Sequence, residues 1–348
     1  MHLERIMQAF LEVQTQFEVL FVHHTAKHYK IYDQAIDVVT GRNPLKLAKK
    51  LNELNVHLVH YNPLSLYSPI YGCEAIKCAT IHGDAEHFLP QEFSLFKRAH
   101  AKYLIPHYAR KMDHIFTVSN ATTRYVRDCY GISEDQITET PNACDARFRV
   151  YEALELAELK FRYTSGQDYM LTVCNYSARK NPWVMLNAFR RISAERPDFC
   201  FIIVGNGWDD LAVRSFVEEY SLTSKVIFPG FVPTEEVPKL MNLATCLVFP
   251  SLYEGFGMPN LEAMACGCPV ITSSVFSIPE VVGDAAQIME NHHDADELAA
   301  SVMHLIDSPQ KRLQMRERGL KNVQRYSWRE SAERLNEQYL KLVSGVSE

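Results

Sequence analysis

The sequence predicts an α/β protein made of two doubly wound domains with parallel sheets. Three observations carry that expectation. Short apolar runs such as FEVLFVH (17–23), FCFIIV (199–204) and TCLVF (245–249) recur along the chain, and their length and β-branched content suit buried strands. Longer stretches with helical spacing of apolar residues separate them, so strands and helices alternate. A length of 348 residues, 47% hydrophobic and 22% charged, supports two hydrophobic cores. Residues 145–168 are charged and weakly periodic and divide one α/β series from the next. The expected boundaries are a first domain at 1–150, a linker at 151–168, a second domain at 169–326 and a terminal helix at 327–348.

In the first series, His2 to Val13 has Leu3, Ile6, Met7, Phe10 and Leu11 on one helical face. The strand 17–23 follows. Pro44–Asn55 reads as an amphipathic helix and Val56–His60 as a strand. Glu74–Ile81 begins helix-like and ends in the strand CATI before His82. Phe93–Lys111 reads as one long helix whose face holds Lys97, Arg98, Lys102, Arg110 and Lys111 with no acid between them. Ile115–Val118 and Ile137–Glu139 are strands on either side of a helix at Ala121–Tyr130.

The second series opens with the strand Met170–Val173 and the helix Asn181–Glu195, then the strand 199–204 and the helix Trp208–Tyr220. Val226–Phe228 is a strand and Thr234–Asn242 a helix, followed by the strand 245–249. Val270–Thr272 and Ala286–Met289 are short strands. Ala295–Ser308, Pro309–Tyr326 and Trp328–Val343 close the chain as helices, the last with Ser327 as its N-cap.

Composition excludes several classes. Net charge is -6, divided as 17 Lys and Arg against 16 Asp and Glu in residues 1–150 and 19 against 26 in the rest. No nucleic-acid footprint follows from that balance. Eleven of the fourteen histidines fall in the first 150 residues, where an anionic surface or ligand is expected. Nine cysteines lack the spacing of a zinc or redox motif, so reduced thiols in the cytoplasm are expected. Neither a signal peptide nor an apolar run long enough to span a membrane is present.

The chemistry concentrates in SLYEGFGMPNLEAMACGCP (251–269), directly after the strand that ends at Pro250. Glu254 and Glu262 bracket a Gly-rich turn. Pro259 suits the first position of a helix, and Gly267 with Pro269 closes it. Glu254 is thus expected on the loop and Glu262 in the first helical turn, both facing the pocket at the strand's carboxyl end. The backbone N–H groups of 256–261, at a helix N-terminus, attract anions and hydroxyl oxygens. Ionised carboxylates accept hydrogen bonds only, which suits sugar or ribose hydroxyls. A capped helix with a dipole-friendly Glu is the plainer alternative.

The second half resembles the retaining glycosyltransferases of family 4. The resemblance runs through VCNYSARKNPWVMLNAFRRI (173–192), IIVGNG (202–207), the stretch 228–286 that contains both glutamates, and YSWRESAERL (326–335). FTVSNATTRYVRDCYGISEDQITETPNACD (116–145) is similar to the end of that family's first domain. The family implies the GT-B fold, two Rossmann-like doubly wound domains facing across a cleft, with the first domain on the acceptor side and the last helix crossing back to it.

By that resemblance Glu254 would meet the donor sugar's hydroxyls and Glu262 the ribose diol. The amides from Gly255 and Phe256 through Gly257, Met258, Asn260 and Leu261 would serve the sugar and diphosphate. Lys180 would offset the charge of the departing diphosphate, with Arg179 as a second cation because Asn175 stands where an arginine is common. Gly205 and Gly207 would let the base approach the backbone, or simply form a turn. His82 would meet the sugar's outer hydroxyls, or serve as a polar strand-end residue. Gly83 separates it from Asp84, so the family's His-Asp pair is altered.

The resemblance implies a UDP- or GDP-hexose donor, no cofactor and no metal, and a saccharide or lipid-linked acceptor. The basic face at 97–111 is expected either to lean on anionic lipid head groups at the inner face of the cytoplasmic membrane or to be a solvated helix face. Family members open with a strand and a Gly-rich loop before a helix resembling MHLERIMQAFLE, and this sequence begins at that helix. A truncated reading is therefore expected, with unpaired edges at the centre of the first sheet. Two other functions stay open: a weakly catalytic nucleotide-sugar-binding subunit, and a nucleotide-sugar epimerase.

Overall fold

The computed structural model describes residues 2–23, 31, 35–39, 41–152 and 156–345. Residues 153–155 of the expected linker and 346–348 of the terminal segment lie outside the described residues. The chain divides into two units, Met1–Asn142 with Tyr326–Glu348, and Ala143–Arg325.

The first unit holds strands β1 (Leu20–His23), β2 (Ile36–Val39), β3 (Leu58–Tyr61), β4 (Ile76–Ile81), β5 (His114–Thr117) and β6 (Ile137–Glu139). All pair in parallel, but in two sheets, β1-β2 and β3-β4-β5-β6. Among the described residues β1 is paired with β2 alone and β3 with β4 alone. The helix Pro44–Glu53 starts where the Asn43 side chain accepts from the N–H groups of Leu45 and Lys46. Its buried face, Leu47, Ala48 and Leu51, meets Val22 of β1 and Val59 of β3 in one small core. The helices His2–Val13 and Trp328–Ser344 pack Ile6, Phe10, Leu335 and Tyr339 onto Cys78 and Phe116. The last helix, capped by Ser327, is thus part of the first unit.

Histidines inside this unit are pinned by hydrogen bonds. His60 Nε2 lies 2.7 Å from Thr80 Oγ1, and its Nδ1 is bonded to the Tyr339 hydroxyl. The ring stacks on Phe116. Burial first, then the neighbouring charges of His82 and His114, lowers the His60 pKa to about 3.

Several elements differ from the sequence reading. β3 begins at Leu58 because the Val56 N–H closes on the Leu51 carbonyl in the turn after the helix. No helix forms at Glu74, since Ala75 is buried against the helix Pro44–Glu53. The long helix runs over 95–109 rather than 93–111, and its pitch changes at a π turn, His100–Leu104, between Leu95–Ala99 and Ile105–Ala109. Pro106 explains the change of pitch, as it has no N–H to donate back along the helix. The strand β2 has no counterpart in the reading.

The second unit carries β7 (Tyr169–Val173), β8 (Cys200–Val204), β9 (Val226–Ile227), β10 (Cys246–Phe249), β11 (Val270–Thr272) and β12 (Gln287–Ile288). They form one parallel sheet in the order β12-β11-β10-β7-β8-β9. The chain winds outward from β7 in one direction and from β10 in the other, so the topological switch point lies between these two strands. Phe189, Phe201 and Val302 fill one face of the sheet, and Leu171, Leu247 and Met264 the other.

The border between the units falls at Asn142 rather than near residue 150. Phe148 packs against the second unit's core, and the Tyr151 N–H donates to Asn242 Oδ1. The expected linker also contains a helix, Ala157–Thr164, whose Leu159 is buried in that core.

Candidate functional site

Beyond β7 the chain makes a 3-10 turn at Ala178–Lys180 and enters the helix Pro182–Glu195 through Asn181, at φ 56 and ψ 52. The Asn181 amide donates to the carbonyls of Pro250 (3.2 Å) and His292 (2.6 Å), tying the loop after β7 to the loop after β10. The Leu252 N–H donates to the Arg179 carbonyl (2.8 Å), and Arg179 Nη1 to the Tyr253 carbonyl (2.9 Å). These bonds bring three charged side chains together. Glu254 Oε1 is 3.0 Å from Arg179 Nη1 and is also ion-paired with Lys180 Nζ. Lys180 Nζ lies over the Phe249 ring at 4.5 Å. Ser277 Oγ donates to the Glu254 carbonyl and fixes the loop from below (2.7 Å). Two cations facing one carboxylate leave the cluster with an excess of positive charge, at the switch point where open α/β sheets bind ligands.

The Gly-rich turn leads into the helix Met258–Ala265. Gly257 stands before it at φ 85, and a Cβ there would meet Asn260 Nδ2 at 3.2 Å. Pro259 is the second helical residue, not the first, and Glu262 falls in the second turn, not the first. The start shifts because Gly257 takes the left-handed capping position. The amides of 256–261 are not all free: the Asn260 N–H closes on the Gly257 carbonyl at 3.0 Å. Phe256 and Leu261 are buried, so the assigned role could fall only to their backbone groups. Asn260 is fully buried, and neither Oδ1 nor Nδ2 has a partner among the described residues.

Glu262 has other company than Glu254. Burial raises its pKa to about 7, the nearby Asp145 charge adds to the rise and Arg147 opposes it. The two glutamates thus have different charged neighbours: Arg179 and Lys180 at Glu254, and Asp145 and Arg147 at Glu262.

Gly205 sits at φ 147, and a Cβ there would lie 2.0 Å from the Cys174 carbonyl oxygen. Its lack of a side chain serves the packing of the loop after β8 on the loop after β7. Asn175 completes that junction, accepting from the Asn206 N–H at 2.9 Å. Gly207, at φ 83, faces Tyr176 Cβ. In the first unit, His82 follows β4 and bonds through Nε2 to Asn62 Oδ1 (2.7 Å), with burial lowering its pKa to about 4. Asp84 is structural: it accepts from the hydroxyls of Tyr125 (2.7 Å) and Tyr130 (3.1 Å) and caps a short helix through the His87 N–H. The sequence reading missed Asn181, Ser277, Asp145 and Arg147. Only Asn181 left a signal, an Asn-Pro step at a helix start.

Two family models match. "Glycosyl transferases group 1" covers residues 158–322 and "Glycosyltransferase Family 4" covers 13–148. The chain belongs to the family 4 glycosyltransferases. The O-antigen chain mannosyltransferase B of Escherichia coli is 33% identical over 217 residues, 62% of this chain and 57% of that protein. The serotype-specific mannosyltransferase WbdA of Escherichia coli is 28% identical over 68% of this chain. The match spans only 30% of WbdA, so the chain covers a little over half of the first relative and less than a third of the second.

Anabaena Alr3699/HepE in complex with UDP and glucose superposes with a TM-score of 0.77 at 17% identity, over 98% of this chain and 95% of that one. Sucrose-phosphate synthase from Thermosynechococcus elongatus gives 0.78 at 19% identity, over 98% and 92%. The fold of this family 4 chain is therefore GT-B. Among the described residues no helix is long and apolar enough to cross a membrane.

Proposed function

We propose that this chain is a retaining hexosyltransferase that moves a hexosyl group from a UDP- or GDP-hexose to a saccharide or lipid-linked acceptor, without a metal ion. The observation that carries the reading is the convergence of Arg179, Lys180 and Glu254 where β7 and β10 part. In this reading the donor diphosphate takes over the two cations from the Glu254 carboxylate, which is then free to accept from sugar hydroxyls. The bond from C1 to the phosphate oxygen breaks while the acceptor oxygen joins C1 from the same face, and the leaving phosphate takes the acceptor's proton. Lys180 and Arg179 offset the charge that grows on the phosphate, which stabilises the transition state more than the ground state. Glu262 holds the ribose diol. Relatives named for mannosyl transfer and a fold shared with a UDP-glucose-binding protein support the substrate class.

Thermal denaturation with UDP-, GDP- and ADP-hexoses tests the proposal, because a ligand at 100 times its Kd stabilises by about 2.7 kcal/mol. At least one donor is expected to raise the melting temperature, and Lys180→Ala to weaken that shift. Arg179 still neutralises Glu254 in that variant, so the fold is retained. Glu254→Ala is expected to lower turnover by roughly 10²–10³-fold. Tight nucleotide binding without turnover would indicate a binding subunit, and donor isomerisation without acceptor an epimerase. No shift with any donor would overturn the reading.

A further inference from the structure

The helical span 95–109 of the first unit turns an unusual face outward. Leu95 is 78% exposed, Phe96 70% and Tyr103 66%, while Ala101, Pro106 and Ala109 of the same span are buried. Removing such side chains from water is favourable, so a face like this favours whatever shields it. Tyr71, also exposed, is joined to the span by its hydroxyl, 2.8 Å from His107 Nε2. Lysines interleave with these apolar groups. Lys97 Nζ lies over the Phe93 ring at 5.8 Å and Lys102 Nζ over the Tyr103 ring at 5.3 Å. Among the described residues neither lysine is paired with a carboxylate. No acidic residue occurs between Phe93 and Lys111. Arg98 and Arg110 instead are tied to the unit's own backbone, donating through Nε to the carbonyls of Phe93 (3.0 Å) and Tyr130 (2.7 Å).

We infer that this face docks on an anionic phospholipid bilayer, with Leu95 and Phe96 entering the acyl boundary and Lys97 and Lys102 at the level of the phosphates. The alternation of aromatic and aliphatic side chains with unpaired lysines decides between bilayer and protein. Lysine is depleted in the cores of protein interfaces, whereas interfacial helices combine Lys and Arg with Phe, Leu and Trp. Tyr71 and Tyr103 suit the head-group zone, where an apolar ring with a polar tip is favoured. The docking surface goes beyond the donor chemistry and does not depend on it, since none of its residues belongs to the cluster around Glu254.

Co-sedimentation of the full chain with phosphatidylcholine vesicles, with and without phosphatidylglycerol, tests the inference in the absence of any nucleotide sugar. Binding is expected only to the anionic vesicles, and it should weaken as salt is raised. Lys97→Gln and Lys102→Gln should each lower the partition coefficient about fivefold. Leu95→Ser with Phe96→Ser should lower it roughly tenfold through lost apolar burial. All four positions are exposed, so an unchanged melting temperature separates loss of docking from loss of fold. No vesicle binding, equal binding to neutral vesicles, or wild-type binding by the serine variant would overturn the inference. So would a surface whose variants change only the oligomeric state in sedimentation velocity.

Discussion

The two units use the same parallel-strand pattern with different results. In the second, six strands form one continuous sheet, the core on both faces is apolar, and the charged groups gather beyond the strands' carboxyl ends. In the first, the strands among the described residues fall into sheets of four and two, and polar side chains enter the body of the sheet, with His60 on β3 and His114 on β5. A continuous apolar sheet lets ionised groups converge on a ligand without weakening the fold beneath them. A divided sheet with buried histidines ties its own stability to their protonation state. The first unit is therefore expected to be the adaptable and labile one, and the second the rigid holder of the donor.

Acid should break this comparison most sharply. Burial lowers the pKa of His60 to about 3 and of His82 and His114 to about 4. A histidine depressed below its unfolded value near 6.5 binds a proton more readily in the unfolded chain. Its contribution to stability is present above pH 6.5 and is lost as pH falls through 6.5 toward 4. Three such groups together amount to several kcal/mol, a large share of the roughly 5–15 kcal/mol that holds a domain folded. Hydrogen exchange followed by mass spectrometry between pH 7 and pH 4 should show β3, β4 and β5 losing protection while β7, β8 and β10 keep theirs. His60→Gln should move the onset to lower pH. Simultaneous loss in both units would remove the distinction.

Two glycines sharpen it from the other side. Gly205→Ala forces a Cβ to within 2.0 Å of the Cys174 carbonyl at φ 147, and the neighbour is backbone that cannot rotate away. We expect a loss of about 2–4 kcal/mol in the second unit. Gly131→Ala in the first unit has nothing within 4 Å and carries only the strain of φ 67, on the order of 1 kcal/mol. Urea denaturation of the two variants should rank them in that order. Equal losses would mean that the junction between the loops after β7 and β8 is less rigid than its geometry indicates.

Much of the second unit was legible from local chemistry. The strand ending at Pro250, the glycines 255 and 257, Pro259 and the two glutamates lie within one stretch, so their order in sequence is close to their order in space. Lys180 was legible as a lysine at a helix start, against the dipole, and by its resemblance to the family. What escaped was tertiary. Asp145 and Arg147 act on the charge of buried Glu262 across more than a hundred residues, and Asn181 bridges to Pro250 and His292. The same distance hid the bond of His60 to Tyr339. The π turn inside the helix 95–109 left no mark in the sequence because the apolar spacing persists through Pro106, whose missing N–H alters the hydrogen bonding. Residues 145–168 looked like a linker because their few apolar anchors, Phe148 and Leu159, are too sparse to show a period.

Glu262 gives a smaller expected effect than Gly205. Its pKa is raised from 4.5 to about 7, burial being the main cause and Asp145 the next. A carboxyl whose folded value is raised stays protonated in the native state while the unfolded chain has already ionised. Stability is therefore lost as pH rises from about 4.5 to about 7, and the penalty is complete above that window. Glu262→Gln removes the ionisation and keeps the shape, so at pH 8 the variant should be more stable than the wild type by roughly 1–3 kcal/mol. The difference should fade below pH 4.5, where the wild-type carboxyl is protonated in both states. Nucleotide affinity should move the opposite way. A ribose diol donates to an ionised carboxylate, so wild-type affinity should fall as pH drops below about 7, and calorimetry in buffers of different ionisation enthalpy should detect proton release on binding. A variant that gains stability at pH 8 and loses this proton release would show that the second unit gives up some stability at one buried position to hold its ligand. A variant that gains stability but binds nucleotide with unchanged pH dependence would place Glu262 in the core and outside the donor site.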